Sequence, residues 1–500
     1  MVAKPAQHEH AHTPNRYAVI PTPERLQATG EYTGKGVTIA ILDSGFYPHA
    51  DLVEPVNRII AYHDVTNPQA SLNTNAPAQA WQWHGTQTSV AACGNGFLSD
   101  GIYRGLASDA GVVLVKVSRQ GRITDEQIVQ GLRWVIENQE RYNIRIVSMS
   151  LGGDADVALN ESAVNQAAEL AVGAGLVLVV AAGNSGCAND PHPIPPASAP
   201  SVITVGGYDD NNELHNSSPD LYCSNFGATV DGLVKPEIIA PAMWVAAPIL
   251  PNTDAYKRAE ALSHLATAPD YLLQSLIELA CNPECVLHGF ATELWERSEL
   301  PGKLYEHTPQ TIRALVEVCL RDSKIVATHY QHVDGTSFAT PVVASVVAQM
   351  LEANPRLTPA AVKNILISTA DRIPDTDVIR QGFGMLNARR AVEQAKIETH
   401  ILDDNELFSP RIEEGRLVFA YHDDAAEQVA IVGDFNQWNP TQTVFEKVTD
   451  GIWRVAIAPP PPGEYRYKFV VNRHRWIEDP SNLMKEPDSF GGLNSVLSLA

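Results

Sequence analysis

The chain predicts an α/β architecture: a doubly wound parallel sheet with helices on both faces, a helical insert within it, and a small β-sandwich at the C-terminal end. Three observations predict it. Apolar runs of strand length alternate with helical patterns through roughly the first 400 residues. Between about 249 and 327 that alternation stops and helical spacing takes over. In roughly the last ninety residues, short alternating runs separated by turn residues replace both patterns.

Gly36 to Leu42 reads as a buried strand that delivers Asp43 at its carboxyl end, where open α/β sheets place their sites. His84 stands before Thr88 to Cys93, which reads as a helix of small residues. Gly175 to Ala182 reads as a second buried strand and leads into Asn184. Ser337 precedes Val342 to Leu351, an apolar run of helix length whose start offers free N–H groups and the positive end of a helix dipole. Thr358-Pro359 caps a helix carrying Val362, Ile365 and Leu366; Gly382 to Asn387 then reads as a strand and Ala388 to Ala395 as a helix. Within the insert, Ala255 to Leu265 and Tyr271 to Ala280 read as helices. Thr308-Pro309 opens a third, striped by Ile312, Leu315, Val316, Cys319 and Leu320. The expected layout is a tail over 1–20, an α/β domain over 21–398 with its insert at about 249–327, a polar linker over 399–411 and a sandwich over 412–500.

The chemistry suggested by these positions is nucleophilic. A serine hydroxyl needs a neighbouring base, histidine suits that task, and a buried carboxylate fixes the imidazole tautomer and stabilises the imidazolium. Asp43, His84 and Ser337 supply those types, and the Asn184 amide could meet a developing oxyanion. Taken singly, Asp43-Ser44-Gly45, His84-Gly85 and Gly183-Asn184 read as turns and loops; taken together and in order they point to one site.

Ile41 to Gly45, His84 to Thr86, Ala181 to Gly186 and Gly335 to Pro341, in that order, resemble the subtilases, the subtilisin-like serine peptidases. The resemblance covers roughly Pro23 to Ala395 apart from the insert, and implies a subtilisin-like fold and an Asp43-His84-Ser337 triad with Asn184 in the oxyanion hole. It also implies that Ser150, Leu151, Gly152 and Gly153 pair with a peptide substrate as an added strand. Pro195-Pro196-Ala197 falls where subtilases carry a proline beside the primary specificity pocket, and Ile194 suggests a small or blocked apolar pocket there. The family's patterns differ at Gln87, Thr88, Ser89, Val342 and Ser345, which read as helix-packing positions. Gly94 to Gly101 departs from the family's calcium loop. Asp51 resembles a calcium ligand of that site, although an exposed, solvated aspartate is the plainer reading, since calcium takes six to eight oxygens. No cofactor is required by this chemistry, and calcium is the one ion the resemblance raises.

Net charge is −22, from 36 basic and 58 acidic side chains, which weighs against nucleic acid and anionic membrane surfaces as partners. Met1 to Val19, with His8, His10 and His12, lacks the apolar core of a signal peptide and reads as a polar tail, so a cytoplasmic location and no folded prodomain are expected. The six cysteines read as structural thiols in a reducing compartment rather than a disulfide framework. A zinc site from Cys281, Cys285 and His288 is the alternative for two of them. The insert precedes the nucleophile and reads as a lid, a gate, a partner surface or packed decoration.

Val429 to Val432, Ile452 to Ile457, Tyr465 to Val471 and Val496 to Leu499 read as short strands of an immunoglobulin-like sandwich. Gly433 to Asn439 resembles the glycogen-binding module of the AMP-activated kinase β subunit. The resemblance implies sugar contacts at Trp438, Lys468, Trp476 and Asn494, with Phe490 as an apolar residue that threads the glucan. The expected function is a serine endopeptidase acting on polypeptides, with glycogen or another α-glucan as a possible anchor. The alternative is a catalytically weak peptide- or glucan-binding scaffold whose sandwich is purely structural.

Overall fold

The computed structural model describes residues 19–398 and 409–499 apart from 74–75, 120, 154–156, 189–190, 215, 217, 414, 450 and 483. Most of the expected N-terminal tail and linker therefore lies outside the described residues.

The apolar runs become β1 (Thr38–Asp43), β2 (Ile59–Asp64), β3 (Gly111–Lys116), β4 (Ile144–Met149), β5 (Val177–Ala181), β6 (Ile203–Asp209) and β7 (Ile238–Pro241). They form one sheet in the order β7-β6-β5-β4-β1-β3-β2, each neighbouring pair parallel. The order reverses at β1, which lies between β3 and β4, so Asp43 ends the strand at the switch point where such sheets open a crevice.

Strand alternation divides the core into two layers. Ile39, Ile41, Val112, Leu114, Ile146 and Val179 face one side; Ala40, Leu42, Val113, Val115, Val147 and Val180 face the other. The first side is covered by α1 (Trp83–Cys93) through Val90 and Ala92. The second is covered by α2 (Asp125–Tyr142) through Ile128, Leu132 and Val135, and by α3 (Ala163–Gly173) through Val164, Ala168 and Val172. Thr124 and Ser162 cap α2 and α3 with their side chains.

A second compact unit spans residues 251–332. Its helices are α4 (Asp254–Thr267), α5 (Asp270–Ala280), α6 (His288–Ser298) and α7 (Pro309–Asp322). Leu262, Leu265, Leu273, Leu276, Trp295, Ile312 and Val316 are buried in this unit. Arg313 reaches Asp270 at 2.7 Å and ties α7 to α5. Helix α6 was not expected. Its N-cap is Leu287, which makes no side-chain capping bond, so the usual start signal is missing.

The chain then forms α8 (Thr336–Ala353), α9 (Pro359–Thr369) and α10 (Ala388–Ile397). Helix α8 is buried on nearly every side, which its run of Ala, Val, Ser and Thr permits. The strand expected over Gly382 to Asn387 reduces to bridges at Met385, because Gly382 and Gly384 hold positive φ and turn the chain.

The C-terminal region forms two antiparallel sheets. One contains β8 (Arg411–Glu413), β9 (Arg416–His422), β11 (Glu446–Thr449) and β12 (Ile452–Ile457). The other contains β10 (Val429–Gly433), β13 (Gly463–Val471), β14 (Arg475–Ile477), β15 (Lys485–Pro487) and β16 (Leu493–Leu499). Phe419, Tyr421, Ile431, Phe445, Trp453, Tyr467 and Phe469 fill the space between them. Ile452, on the outside of the first sheet, joins the same buried cluster as the peptidase-region residues Leu366 and Val392.

Candidate active site

Asp43 is buried, and its carboxylate is surrounded by donors. Ser44 N–H donates to Oδ1 at 2.6 Å, the Thr88 hydroxyl donates to Oδ2 at 3.1 Å, and His84 Nδ1 lies 2.8 and 2.9 Å from the two oxygens. This fixes the imidazole with Nδ1 toward the carboxylate and Nε2 directed away from it. Burial disfavours the charged imidazole, but the Asp43 charge and hydrogen bond outweigh it and raise the His84 pKa above 6.5. Position 88 is thus more than helix packing: Thr88 touches the Asp43 carboxylate, a contact that its place one turn along α1 from His84 makes available.

Ser337 lies in the first turn of α8. Gly335 precedes it at φ 134°, a conformation that favours glycine, and a Cβ there would stand 3.5 Å from Asn184 Nδ2. Thr336 donates to Asn184 Oδ1 from both its N–H (2.8 Å) and its hydroxyl (3.0 Å). The carboxamide is held by its oxygen, which leaves its NH2 edge to donate. On the other flank, Phe338 brings its ring to 5.9 Å from the His84 ring. Ser150 donates to the Ser337 carbonyl at 2.7 Å and joins the Ser337 turn to the segment that follows β4. The structure therefore brings Asp43, His84, Asn184, Ser150 and Ser337 together at the carboxyl end of the sheet.

Leu151, Gly152 and Gly153 continue from Ser150 beyond the last paired residue of β4. Gly153 N–H donates to Pro195 O at 2.7 Å, and a Cβ on Gly152 would stand 3.0 Å from Ile194 Cδ1, so Ile194 packs directly on this segment.

One expectation about the cysteines is corrected. Cys187 and Cys223 form a disulfide, whereas Cys93, Cys281, Cys285 and Cys319 are free. The bond sits beside the Asn184 loop, which is clamped a second way. Gly186 N–H donates to Cys223 O and Asn225 N–H to Gly183 O, with Gly186 so close that a Cβ would fall 1.8 Å from Ser224 O. A separation of 36 residues between two loop positions gives no spacing signal for this pairing.

Asp51 is also corrected: it is fully buried rather than solvated. Its Oδ1 accepts Leu98 N–H at 3.2 Å and lies 3.9 Å from His49 Nδ1, while its carbonyl accepts from Asn95 N–H and Arg58 Nη2. Leu98 N–H is thus bonded to the carboxylate, whereas Arg58 and Asn95 donate to the main-chain carbonyl. Among the described residues no group of three or more His, Cys, Asp and Glu side chains is placed to hold a metal, the Cys281-Cys285-His288 set included. No helix of the described residues is long and apolar enough to cross a membrane.

In the sandwich, Tyr467, Phe469 and Val471 of β13 point into the core, so Arg466, Lys468 and Val470 point out. Trp476 pairs with Val470, and Ser495 pairs with inward-pointing Tyr467, which turns its neighbour Asn494 outward, so Trp476 and Asn494 belong to that outer face. Trp476 is 45 % and Phe490 96 % exposed. Lys468 Nζ pairs with Asp488, whose Oδ1 also accepts Phe490 N–H at 2.8 Å and Gly492 N–H at 2.7 Å; the loop carrying Phe490 is thus tied to the same face. Hydrogen bonds from Lys468 and from those two N–H groups lower the Asp488 pKa to about 2. Trp438 is half-buried, and its Nε1 donates to Asp434 at 3.0 Å.

An aspartate-oriented histidine, a serine at a helix start and an amide held by its oxygen are the groups that a serine peptidase site calls for. The subtilase family profile matches residues 34–385, and the chain belongs to that family. The profile of carbohydrate-binding module 48, the isoamylase N-terminal domain, matches residues 407–487. The serine protease AprX of Bacillus subtilis (strain 168) is 33 % identical over 370 residues, covering 72 % of this chain and 67 % of that protein. A cuticle-degrading serine protease of Orbilia oligospora is 32 % identical over 203 residues, covering 40 % of this chain and 41 % of that protein. Among solved structures, a cold-adapted subtilisin-like serine proteinase aligns at a TM-score of 0.41 with 22 % identity, over 71 % of this chain and 89 % of its own.

Proposed function

We propose that this subtilase is an endopeptidase that hydrolyses polypeptides through Ser337, His84 and Asp43, and that its carbohydrate-binding module directs it to glycogen or another α-glucan. The observation that carries the first part is the Asp43–His84 pair at 2.8 Å beside an Asn184 amide fixed by Thr336. His84 Nε2 takes the Ser337 proton as Oγ attacks the scissile carbonyl. The C=O electrons move to oxygen, where Asn184 donates to the oxyanion. The intermediate collapses, the C–N bond breaks, and His84 passes its proton to the leaving amine. Water then attacks the acyl-enzyme by the same route and frees Ser337. Ser150 to Gly153 would hold the acyl half as an added strand.

The glucan reading is supported by the outer face that carries Lys468, Trp476 and Asn494, with exposed Phe490 on the adjoining loop. Aromatic faces stack on glucose rings, and amide and ammonium groups bond hydroxyls. A cytoplasmic location belongs to this reading, but the Cys187–Cys223 disulfide bears against it, because disulfides persist chiefly in oxidising compartments.

The test is hydrolysis of an unfolded protein and of internally quenched peptides by the full chain, with Ser337→Ala and His84→Ala as comparators. Cleavage should be internal and lost in both variants. Binding of the peptides without turnover by the unaltered chain would instead favour the scaffold.

A further inference from the structure

Trp83, directly before the catalytic histidine, is 49 % exposed, and its ring stands edge-on to His84 at 5.1 Å between centroids, with planes at 87°. An indole that leaves half its surface in water beside a reacting group is available to a ligand. The next aromatic back along the chain, Trp81, is held in place. Lys116 Nζ lies 5.4 Å above its ring, and its ring packs so tightly on Gly45 that a Cβ there would fall 2.3 Å from it. The backbone entering α1 is therefore held at Trp81 and at Gln82, whose Nε2 donates to Phe46 O at 2.5 Å.

The order of strands says which half of a substrate Trp83 meets. Asn184 follows β5, Ser150 to Gly153 follow β4, and Asp43 ends β1, so oxyanion donor, acyl-strand segment and acid–base pair lie in that order along the sheet edge. The scissile oxygen points toward Asn184, and the acyl half runs along Ser150 to Gly153. The leaving amine lies toward His84, which must protonate it, and Trp83 borders that imidazole.

We propose that Trp83 is a specificity-determining residue for the leaving-group side of the scissile bond, and that this site takes peptides with a large apolar or aromatic residue immediately after the bond. This rests on the peptidase reading above. Edge-to-face and stacked ring contacts act in addition to the area they bury, enough for roughly a tenfold preference for an aromatic over a hydrogen side chain.

Aminolysis isolates this side. A tetrapeptide thiobenzyl ester ending in alanine acylates Ser337, and an added amino-acid amide then competes with water for the acyl-enzyme. The amine nitrogen bonds to the acyl carbon, the bond to Ser337 Oγ breaks, and the proton lost by the amine passes through His84 to Oγ. The acyl half is identical in every reaction, so the ratio of capture by phenylalanine amide to capture by glycine amide reads only the leaving side. The ratio should be about ten or more for the unaltered chain and fall to within about threefold of unity in Trp83→Ala, with Trp83→Phe between. A ratio near one in the unaltered chain overturns the proposal. So does a high ratio kept by Trp83→Ala or, should that variant fail to fold, by a soluble Trp83→Leu. If the ester forms no acyl-enzyme on Ser337 at all, the peptidase reading fails first and takes this one with it.

Discussion

Removing the Asn184 amide should cost turnover and leave binding almost alone. On the proposed mechanism, Asn184→Ala removes the oxyanion donor, while Ser150 to Gly153 would still hold the peptide. Loss of one such donor costs about 2.7–4 kcal/mol, a fall in kcat of roughly a hundred- to a thousandfold. The structure sharpens this, because the amide is oriented by two bonds from one residue: Thr336 N–H at 2.8 Å and Thr336 Oγ1 at 3.0 Å. Thr336→Val keeps the first and removes the second. A neutral hydrogen bond is worth about 0.5–1.5 kcal/mol, so kcat should fall roughly two- to twelvefold. Combined with Asn184→Ala, Thr336→Val should add almost nothing, since there is no longer an amide to orient. Steady-state kinetics on one quenched peptide gives all four values. A rise in KM with kcat intact, or costs that simply add in the double variant, would refute the assignment of Asn184 and of Thr336 as its positioning residue.

The general base must be neutral, and the pull of Asp43 raises the His84 pKa, so the acid limb of kcat/KM should have its midpoint above pH 6.5; a midpoint well below it would mean that burial dominates. In the sandwich, burial raises the Asp479 pKa to about 6 against the pull of Ser409 and Tyr467 hydrogen bonds. A raised folded pKa contributes stability that is fully present below about pH 4 and lost as pH rises through 6. Asp479→Asn should therefore flatten the difference in Tm between pH 5 and 7, and an unchanged difference would show that Asp479 does not drive it. Full-length Ser337→Ala protein should be retained on amylose and eluted by malto-oligosaccharide. Trp476→Ala should weaken retention by about 1–3 kcal/mol with Tm unchanged; absence of any retention would leave the sandwich a structural companion of the peptidase.

The places of Asp43, His84, Asn184 and Ser337 in the fold were legible because each ends or follows a strand or opens a helix, where a short pattern records a local demand of the fold. Asp43 needs the carboxyl end of an apolar run, and Ser337 needs a glycine at positive φ before it. What surrounds them depends on segments brought together from afar, which leaves no periodic trace. Thr88 looked like a packing residue until β1 and α1 were set side by side, and Cys187 found Cys223 only because the Asn184 loop runs against Ser224. The burial of Asp51 was hidden for the same reason: Arg58 and Leu98 come from other segments and bond its carbonyl and its carboxylate. In the sandwich, Lys468 was singled out only through the family resemblance; its outward direction and its pairing with Asp488 came from the fold of β13 and the Phe490 loop.

The central claim is that Ser337 is the nucleophile, activated by His84, and covalent labelling tests it most directly. An alkyl fluorophosphonate incubated with the full chain should give a single adduct that peptide mapping places on Ser337. Labelling should be absent in Ser337→Ala and slowed by orders of magnitude in His84→Ala. An adduct on a different serine, or labelling that survives Ser337→Ala, would contradict the account.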